Sequence, residues 1–474
     1  MAEVSALKAE LAVLDTRNAE LEAIVVMLKT QVDELAEKLR RNSSNSHLPP
    51  SSDGPGAASR GSVRGKKSAS GRKRGGQKGH RGAHRSLLPI ELVDEIVELF
   101  PAACEGCSVA LPETPDADAR RYQVLDLVGC TPHTTEFRRH EVACDRCGHR
   151  TRAAYDATRI PSSPFGPRLV AVVALLTGVY HLSRRSTQRL LLELFGITIS
   201  LGALSAIEAR ASAALASAVS EAQREVEAAD VKHTDATSWL RAGIVMSLWT
   251  IASAMATVYR IVENGRRDTI RKLYGTLRGI LVSDRATVFD FWLMAFRQVC
   301  WAHLLRKFVS FSERDGPAGA IGRELIECTG LVFEYWHGFK DGQLTRAELM
   351  TWMHPLQLRL EAVLERAVSA DIKRLSGSCA DILAHREALW TFVAHEGVEP
   401  TNNHAERELR AFVLWRRRSF GSQSERGERF AERVMTVAHT ARKQRIGVLD
   451  FIVGCCAASM RGTAPPMLLG SAAH

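Results

Sequence analysis

Three acidic residues have the types and the surroundings needed for metal-dependent chemistry on phosphate. Asp235 lies in VKHTDATSWL, Asp284 follows the apolar run ILVS, and Glu406 lies in TNNHAERELR. Carboxylate oxygens suit hard divalent cations, and two such ions about 3.5–4 Å apart can clamp the attacking and leaving oxygens of a phosphodiester. The set indicates phosphoryl transfer with two Mg²⁺ ions, for which Mn²⁺ can substitute. No Ser/His/Asp or Cys/His arrangement suggests a covalent nucleophile.

The segments around the first two carboxylates predict an α/β fold with a mixed sheet. Strand patterns in VKHTDATSWL, AGIVMSLWTIAS and MATVYRIVEN precede a helix over RRDTIRKLYG and a fourth strand in GILVSDRATVF. Asp235 falls in the first strand and Asp284 at the end of the fourth. Carboxylates at strand ends can converge on one metal site.

The third carboxylate has two interpretations. Residues 400–403 look like a helix start, with Glu406 in the first turn. Glu406 could face the metals, or it could close a capping box by bonding back to the Asn403 backbone. Glu408 points about 200° away around the same helix, so only one of the two glutamates can face the metal ions.

Four cysteines form two CxxC pairs, Cys104/Cys107 and Cys144/Cys147. Four thiolates are the shell that structural Zn²⁺ prefers, so residues 91–160 are predicted to be a small β-rich zinc-binding module. A closed four-cysteine site leaves no open position for catalysis. Cys130 and His149 are substitute ligands in a second interpretation.

Positive charge is concentrated near the N-terminus. The chain has 474 residues and a net charge of +10, and residues 54–90 hold ten Lys or Arg and no acid. Residues 42–90 are therefore predicted to be a basic flexible linker that binds DNA phosphates, with a solvated tail as the alternative. The candidate DNA-binding residues here are Lys66, Lys67, Arg72, Lys73, Arg74 and Lys78.

Residues 1–41 carry five heptads in register, with Leu at one position and mostly Val or Leu at the other. This pattern predicts a leucine-zipper coiled coil that pairs two chains in parallel, and Asn18 favours the dimer. The alternative is an amphipathic helix packed on its own chain.

Residues 161–229 are predicted to be a helical domain, either a bundle packed on the next domain or a DNA-reading helix-turn-helix. Residues 451–474 are expected to be a C-terminal tail. The longest apolar run, residues 169–182, is too short to span a membrane, and no signal peptide is predicted. We therefore expect a cytoplasmic, nucleoid-associated protein without membrane contact.

Further candidates lie near the predicted site. His303, in CWAH, could contact the scissile phosphate, although a structural role is the alternative. Arginines on the Glu406 helix suit phosphate contacts, or could simply form a solvated face. They are Arg407, Arg410, Arg416, Arg417 and Arg418. Two tryptophans and four unpaired cysteines are expected in the core: Trp239, Trp415, Cys328, Cys379, Cys455 and Cys456.

Several segments, in order, resemble the transposases of the insertion sequence 66 family: SSNSHLPPSSD, GGQKGHRG, the CxxC pairs, CWAHLLRKF and TNNHAERELR. The resemblance spans nearly the whole chain. It implies a ribonuclease-H-like DD-E core over residues 230–450, with a helical insertion at about residues 305–395. It carries over Asp235, Asp284 and Glu406 as the catalytic triad, and transposon ends and target DNA as the substrates. Accessory proteins of the same mobile element are possible partners.

The chain departs from that family's pattern at two positions. Ala236 follows the first Asp where Glu is usual, and Arg285 follows the second where Gly-Tyr is common. Neither change removes a metal ligand. The alternatives are a catalytically inactive, DNA-binding regulator derived from a transposase, a plain ribonuclease, and a structural zinc and coiled-coil protein.

Overall fold

The computed structural model describes residues 17, 20–22, 24–29, 31–32, 87–116, 119–127, 129, 131–154 and 163–470. These fall in two compact units, residues 63–133 and residues 1–62 with 134–474. The candidate DNA-binding residues between 66 and 78, and Cys130, lie outside the described residues. The described residues contain no helix with the length and hydropathy to cross a membrane.

The described positions between 17 and 32 are helical. Their apolar heptad side chains are exposed, as Leu21, Val25, Leu28 and Val32 show. The rest of the predicted coiled coil lies outside the described residues, so the dimer stays a prediction.

The predicted β-rich module contains little regular sheet. Its described strands are β1 (Glu141–Ala143) and β2 (Arg150–Arg152), an antiparallel pair. The described part of the YQVLDLV segment, residues 122–127, is not a strand, and Tyr122 and Leu127 are 89% and 93% exposed. A strand pattern yields a strand only where a neighbour satisfies the backbone and covers the apolar side chains.

Five strands form a mixed sheet in the order β5-β4-β3-β6-β7. β3 pairs antiparallel with β4, and β4 antiparallel with β5, whereas β6 and β7 run parallel to β3. The strands are β3 (Val231–Arg241), β4 (Ile244–Ala252), β5 (Thr257–Val262), β6 (Ile280–Ser283) and β7 (Arg297–Val299). The mixed α/β sheet was predicted; β7 was not.

The α-helices of residues 163–470 surround this sheet. They are α1 (Pro167–Ala174), α2 (Arg184–Phe195), α3 (Leu201–Ala214), α4 (Ala216–Ala228), α5 (Arg267–Tyr274), α6 (Trp301–Ser312), α7 (Gly316–Lys340), α8 (Arg346–Ser369), α9 (Ser376–Ala384), α10 (Thr391–Ala394), α11 (Asn403–Ser419), α12 (Glu425–Lys443) and α13 (Val448–Arg461). Helix ends follow local signals: Ser183 and Ser200 cap α2 and α3, and Thr345 and Glu348 form a capping box on α8.

Two hydrophobic cores hold these elements. One joins α1–α5 and α11–α13 to β3–β6, with Trp239 and Trp415 inside it. The other joins β6 and β7 to α6–α10, the helical segment before the Glu406 helix. Cys328, Cys379, Cys455 and Cys456 are buried in these cores, as expected.

The C-terminal segment differs from its prediction. Residues 448–461 form α13, which buries Phe451, Ile452, Cys455 and Cys456 in the same core as the sheet. The spacing of these four residues places them on one helix face, which packs on α1. The expected tail is therefore an integral helix for its first part, and residues 471–474 lie outside the described residues.

The free edge of β5 is covered by a helix. Backbone N–H groups of Thr257, Tyr259 and Ile261 donate to side chains of α12. The acceptors are Thr440 Oγ1, Thr436 Oγ1 and Glu432 Oε1. Four helix residues rise about 6 Å and two strand residues about 6.6–6.8 Å, so every fourth position on the helix meets every second position on the strand.

Candidate functional site

Asp235 lies in β3, and Asp284 directly follows β6, the parallel neighbour of β3. The register pairs His233 with Val282, and each aspartate lies two residues further along its chain. Two-residue steps keep side chains on one face of a sheet, so both carboxylates belong to the same face. The Asp235 side chain accepts the Ala236 N–H at 2.9 Å, and the Asp284 side chain accepts the Ala286 N–H at 3.0 Å.

Glu406 lies in the first turn of α11, and the capping-box interpretation is wrong. The helix is capped by Asn402, whose side chain makes no capping bond, and begins at Asn403. Glu406 is therefore one residue too far along the helix to close a box. Its Oε1 atom is buried without a hydrogen-bond partner in the described structure.

The three carboxylates influence one another. Burial raises the pKa of Asp235 to about 7, and the negative charges of Asp284 and Glu406 act in the same direction. The Ala236 N–H and the cation of Arg306 oppose the rise. A raised carboxyl pKa with like charges nearby is the electrostatic pattern of a site suited to cations.

The immediate neighbours of Glu406 come from α6. Its Oε1 atom lies 3.6 Å from His303 Nδ1 and 3.6 Å from a terminal nitrogen of Arg306. His303 Nδ1 is also buried without a hydrogen-bond partner. Cys300, His303 and Glu406 form a group of donor atoms within 4.8 Å of one another. Among the described residues, the Asp-Asp-Glu triad does not form such a tight group, because Glu406 lies with these α6 side chains.

The start of α6 is tied to both the sheet and the Glu406 helix. The Cys300 N–H donates to the Ser283 carbonyl at 2.9 Å, and the Trp301 N–H donates to the Pro400 carbonyl at 2.9 Å. The Asn402 N–H donates to Cys300 Sγ at 3.1 Å. Two backbone–backbone hydrogen bonds and one bond from a backbone N–H to a cysteine sulfur thus hold Asp284, His303 and Glu406 in one region of the fold.

Glu408 faces a different set of residues, as its position on the helix predicted. Its carboxylate pairs with His404, His439 and Lys443. Burial acts to raise the pKa of Glu408, but hydrogen bonds from His404 and His439 hold it well below its usual range. Burial also lowers the pKa of Lys443 to about 8, against the pull of Glu408. These contacts make Glu408 a structural ion-pair residue.

Of the candidate arginines, Arg407, Arg410, Arg417 and Arg418 are exposed along α11. Arg416 is partly buried and donates to the Ser238 carbonyl at 2.9 Å. Their side chains thus follow the helix that carries Glu406, and Arg416 also binds the strand that carries Asp235.

The two unusual residues beside the aspartates do not occupy the carboxylate positions. Ala236 contributes only its backbone N–H to Asp235. Arg285 forms a 2.8 Å ion pair with Asp381 of α9. The Arg285 side chain therefore points to the helical segment, and this ion pair does not involve the Asp284 carboxylate.

Each CxxC pair forms the same local turn. Gly148 N–H donates to the Cys144 carbonyl, and Ser108 N–H donates to the Cys104 carbonyl. Backbone N–H groups two and three residues further on lower the pKa of Cys104 and of Cys144. Sulfur atoms that accept N–H bonds in this way are prepared to act as thiolates.

The second cysteine of each turn bonds to the first. Cys107 and Cys147 are exposed, and their thiols hydrogen-bond to Cys104 and Cys144 within their own turns. Each turn lies in its own unit and supplies two of the four predicted zinc ligands, so the four-cysteine site stays a prediction. The CxxC spacing fixes each turn through local backbone bonds, but it carries no information about which other ligands complete the shell.

Three residues at the site were not predicted from the sequence to be part of it: Cys300, Arg306 and Asn402. Arg306 lies three residues after His303, so helical spacing alone places both on one face of α6. Cys300 precedes His303 by the same interval. Asn402 was noted only as part of a helix start, and its buried contacts depend on the folded sheet.

The comparison with known families identifies the chain. The Transposase IS66 family model matches residues 162–429, more than half of the chain. The chain therefore belongs to the IS66 transposase family, which implies DNA as the partner and a requirement for divalent metal. A family of unknown function, DUF6444, matches residues 1–86. No curated protein shows significant similarity to the chain.

Proposed function

We propose that this chain is a DD-E DNA transposase that cuts transposon ends and joins them to target DNA, with Asp235, Asp284 and Glu406 as its metal-binding carboxylates. The observation that carries the proposal is the parallel β3/β6 register, which pairs His233 with Val282; Asp235 and Asp284 each follow this pair by two residues. The raised pKa of Asp235, caused first by burial and then by Asp284 and Glu406, supports the grouping of all three.

The sheet order supports a ribonuclease-H-like core. Three antiparallel strands are followed by a helix and then by strands parallel to the central one. One aspartate lies on the central strand, the other directly follows its parallel neighbour, and the glutamate comes from a later helix. α6–α10 form the helical insertion between them.

The donor set fits Mg²⁺, because all three side chains offer carboxylate oxygens and one of those oxygens lacks any hydrogen-bond partner in the described structure. Two Mg²⁺ ions held by these residues would supply stabilisation for the charge on the reacting phosphate. The protein itself orients the ligands: the Ala236 and Ala286 N–H groups fix the two aspartates.

The basic residues around the triad suit a DNA strand. Arg306 and His303 lie beside Glu406, and exposed arginines continue along α11. In cleavage, water attacks phosphorus and the 3′ oxygen leaves; in joining, that 3′-hydroxyl attacks a target phosphodiester. Both steps exchange one P–O bond for another at the same site, so no covalent intermediate with the protein is required.

The CxxC turns have a structural role in this proposal. Together they would bind one Zn²⁺ through Cys104, Cys107, Cys144 and Cys147. The N–H donors on Cys104 and Cys144 support this assignment because they favour the thiolate form. The exposure of Cys107 and Cys147 leaves both sulfurs accessible to an ion.

The N-terminal segments would bring chains and DNA together. The exposed heptad positions of the N-terminal helix would pair two chains. The basic linker would bind DNA phosphates without sequence preference, through Lys66, Lys67, Arg72, Lys73, Arg74 and Lys78.

The test is Mg²⁺-dependent cleavage of DNA that carries the sequences flanking this coding region, with and without neighbouring proteins of the element. Asp284→Ala and Glu406→Gln should each reduce cleavage by more than about 100-fold, whereas Glu408→Gln, if it folds, should retain a measurable rate. A wild-type chain that binds the ends but never cuts them would support the DNA-binding regulator instead.

A further inference from the structure

We propose that Cys300, His303 and Glu406 form a second, thiophilic metal site that binds Zn²⁺ or Co²⁺ and competes with the catalytic Mg²⁺ for Glu406. The donor atoms of the three residues lie within 4.8 Å of one another. They come from two elements: Cys300 and His303 from the start of α6, and Glu406 from the start of α11.

Helix geometry explains how the three donors meet. Cys300 is the N-cap residue of α6, and His303 follows one turn later, so both side chains project from the same end of the helix. Asn402 N–H bonds to Cys300 Sγ and thereby brings the start of α11 against the start of α6. Glu406, one turn into α11, then faces His303.

Two of the three donor atoms lack hydrogen-bond partners in the described structure. His303 Nδ1 and Glu406 Oε1 are both buried without hydrogen bonds in the described structure, yet they lie 3.6 Å apart. Buried polar atoms are normally paired, and a pair left unsatisfied in this way points to a ligand that both can bind. A metal ion bound by nitrogen and oxygen would satisfy them together.

The chemistry of the donors selects the ion. Mg²⁺ takes oxygen ligands and leaves sulfur and imidazole unused, whereas Zn²⁺ and Co²⁺ accept thiolate, imidazole and carboxylate in tetrahedral sites. Three protein ligands leave a fourth position for water. Binding releases the Cys300 thiol proton to solvent as the metal–sulfur bond forms, so no oxidant or reductant is needed.

The positive charge of Arg306 opposes metal binding at this site, so a variant of Arg306 tests the proposal. Arg306 lies 3.6 Å from the same Glu406 oxygen and must move away when a metal ion binds. Arg306 also lines an adjacent groove of about 580 Å³ with Trp336 and Lys340, which gives its side chain room to turn. Arg306→Gln should therefore tighten Co²⁺ binding.

The functional consequence rests on the proposed function. Because Glu406 serves both sites, a thiophilic ion that binds Cys300 and His303 takes the third carboxylate away from Asp235 and Asp284. Zn²⁺ should then inhibit Mg²⁺-dependent cleavage. The chain would be active only where free thiophilic metal is scarce.

The test uses Co²⁺ as a spectroscopic probe of the full-length protein. Wild type should show a stronger thiolate-to-cobalt absorption band than Cys300→Ser, and subtracting the two spectra cancels the absorption of cobalt bound at the CxxC turns. Cys379→Ser, which also replaces a fully buried cysteine, is the matched control and should keep the band. Thermal unfolding of each variant shows whether it is folded. If Cys300→Ser does not fold, loss of band intensity in His303→Asn tests the same site.

Zn²⁺ inhibition is the second measurement. Cys300→Ser should need at least about tenfold more Zn²⁺ for the same inhibition. Asp284→Ala should lose cleavage but keep the cobalt band, so a failure of the proposed function is visible separately from a failure of this site. Identical spectra for wild type, Cys300→Ser and His303→Asn would overturn the proposal.

Discussion

The side-chain amide of Asn402 donates a hydrogen bond to the backbone carbonyl of Thr234, with 2.6 Å between nitrogen and oxygen. Thr234 immediately precedes Asp235 in β3, and Asn402 caps the helix that carries Glu406. Asn402 is fully buried. This one bond therefore connects the strand of the first carboxylate to the helix of the third.

Replacing Asn402 by Asp should disturb that connection. A carboxylate cannot donate to the Thr234 carbonyl, and its burial without a partner should lower stability by about 1–3 kcal/mol or more. The displaced α11 should weaken Mg²⁺ binding by about tenfold or more. Asn403→Asp is the matched control: Asn403 is exposed in the first turn, where a negative charge is favourable. Chemical denaturation and calorimetric Mg²⁺ titration measure both effects, and equal behaviour of the two variants would contradict the role.

Glu408→Gln should lower stability strongly, whereas Glu406→Gln should abolish cleavage with little change in stability. Glu408 holds the buried Lys443 and His439, and removal of its charge leaves Lys443 unpaired, at a cost of about 3–5 kcal/mol. The stabilisation from its lowered pKa is present above about pH 4.5 and declines in stronger acid. Glu406 makes no hydrogen bond through Oε1, so its amide should change stability by no more than about 1 kcal/mol. Unfolding midpoints beside cleavage rates separate the two; a greater loss of stability in Glu406→Gln would contradict the assignment.

Mg²⁺ binding should depend on pH through Asp235. Its pKa is raised to about 7 by burial and by the charges of Asp284 and Glu406, so below that pH a proton must leave before the metal ion binds. Affinity should fall as the pH drops through about 7, by up to about tenfold per pH unit, and level off above it. Metal-free protein should show the opposite trend in stability, which falls from about pH 4 to about pH 7 because the folded state holds this proton more tightly.

Calorimetry in buffers of different ionisation enthalpy counts the protons released on Mg²⁺ binding. Close to one proton should be released at about pH 6 and close to none at about pH 8.5. Glu408→Gln, measured in the same way, should retain this profile provided that it folds. A flat affinity profile in wild type would show that Asp235 does not titrate in this range.

Replacing each of two glycines by alanine should change the free energy of unfolding in opposite directions. Gly421 has φ +86°, and a Cβ there would lie 2.1 Å from the Leu240 carbonyl oxygen, so Gly421→Ala forces the end of α11 away from β3. We expect a loss of more than about 2 kcal/mol. Gly330 lies within α7 with nothing near its Cβ position, and Gly330→Ala should add about 0.5–1 kcal/mol. Denaturation midpoints test the pair, and a neutral Gly421→Ala would contradict the close approach.

Much of the core could be predicted because its signals are local. The apolar strands β3–β6 and the strand-end position of Asp284 follow from side-chain alternation and from where an apolar run stops. The choice between Glu406 and Glu408 could not be made from composition, since both lie in one helical turn. Their roles depend on which neighbours, Arg306 or Lys443, the tertiary fold brings to each face.

Other elements had misleading patterns. β7 contains Arg297 and Gln298, which are both fully buried. Gln298 donates to the Leu389 carbonyl and accepts from the Phe392 N–H. Polar residues of this kind do not look like a parallel strand. α13 did carry a helical spacing, but its position near the end of the chain suggested a tail.

The row of polar side chains on α12 blocks one route by which copies of this chain could associate. An edge strand with free N–H groups invites the same edge of another copy, and the result is an open-ended β-stack. Glu432, Thr436 and Thr440 occupy those donors from within the same chain. Pairing between the β5 edges of two copies is thereby blocked, so any contact between copies has to use another surface.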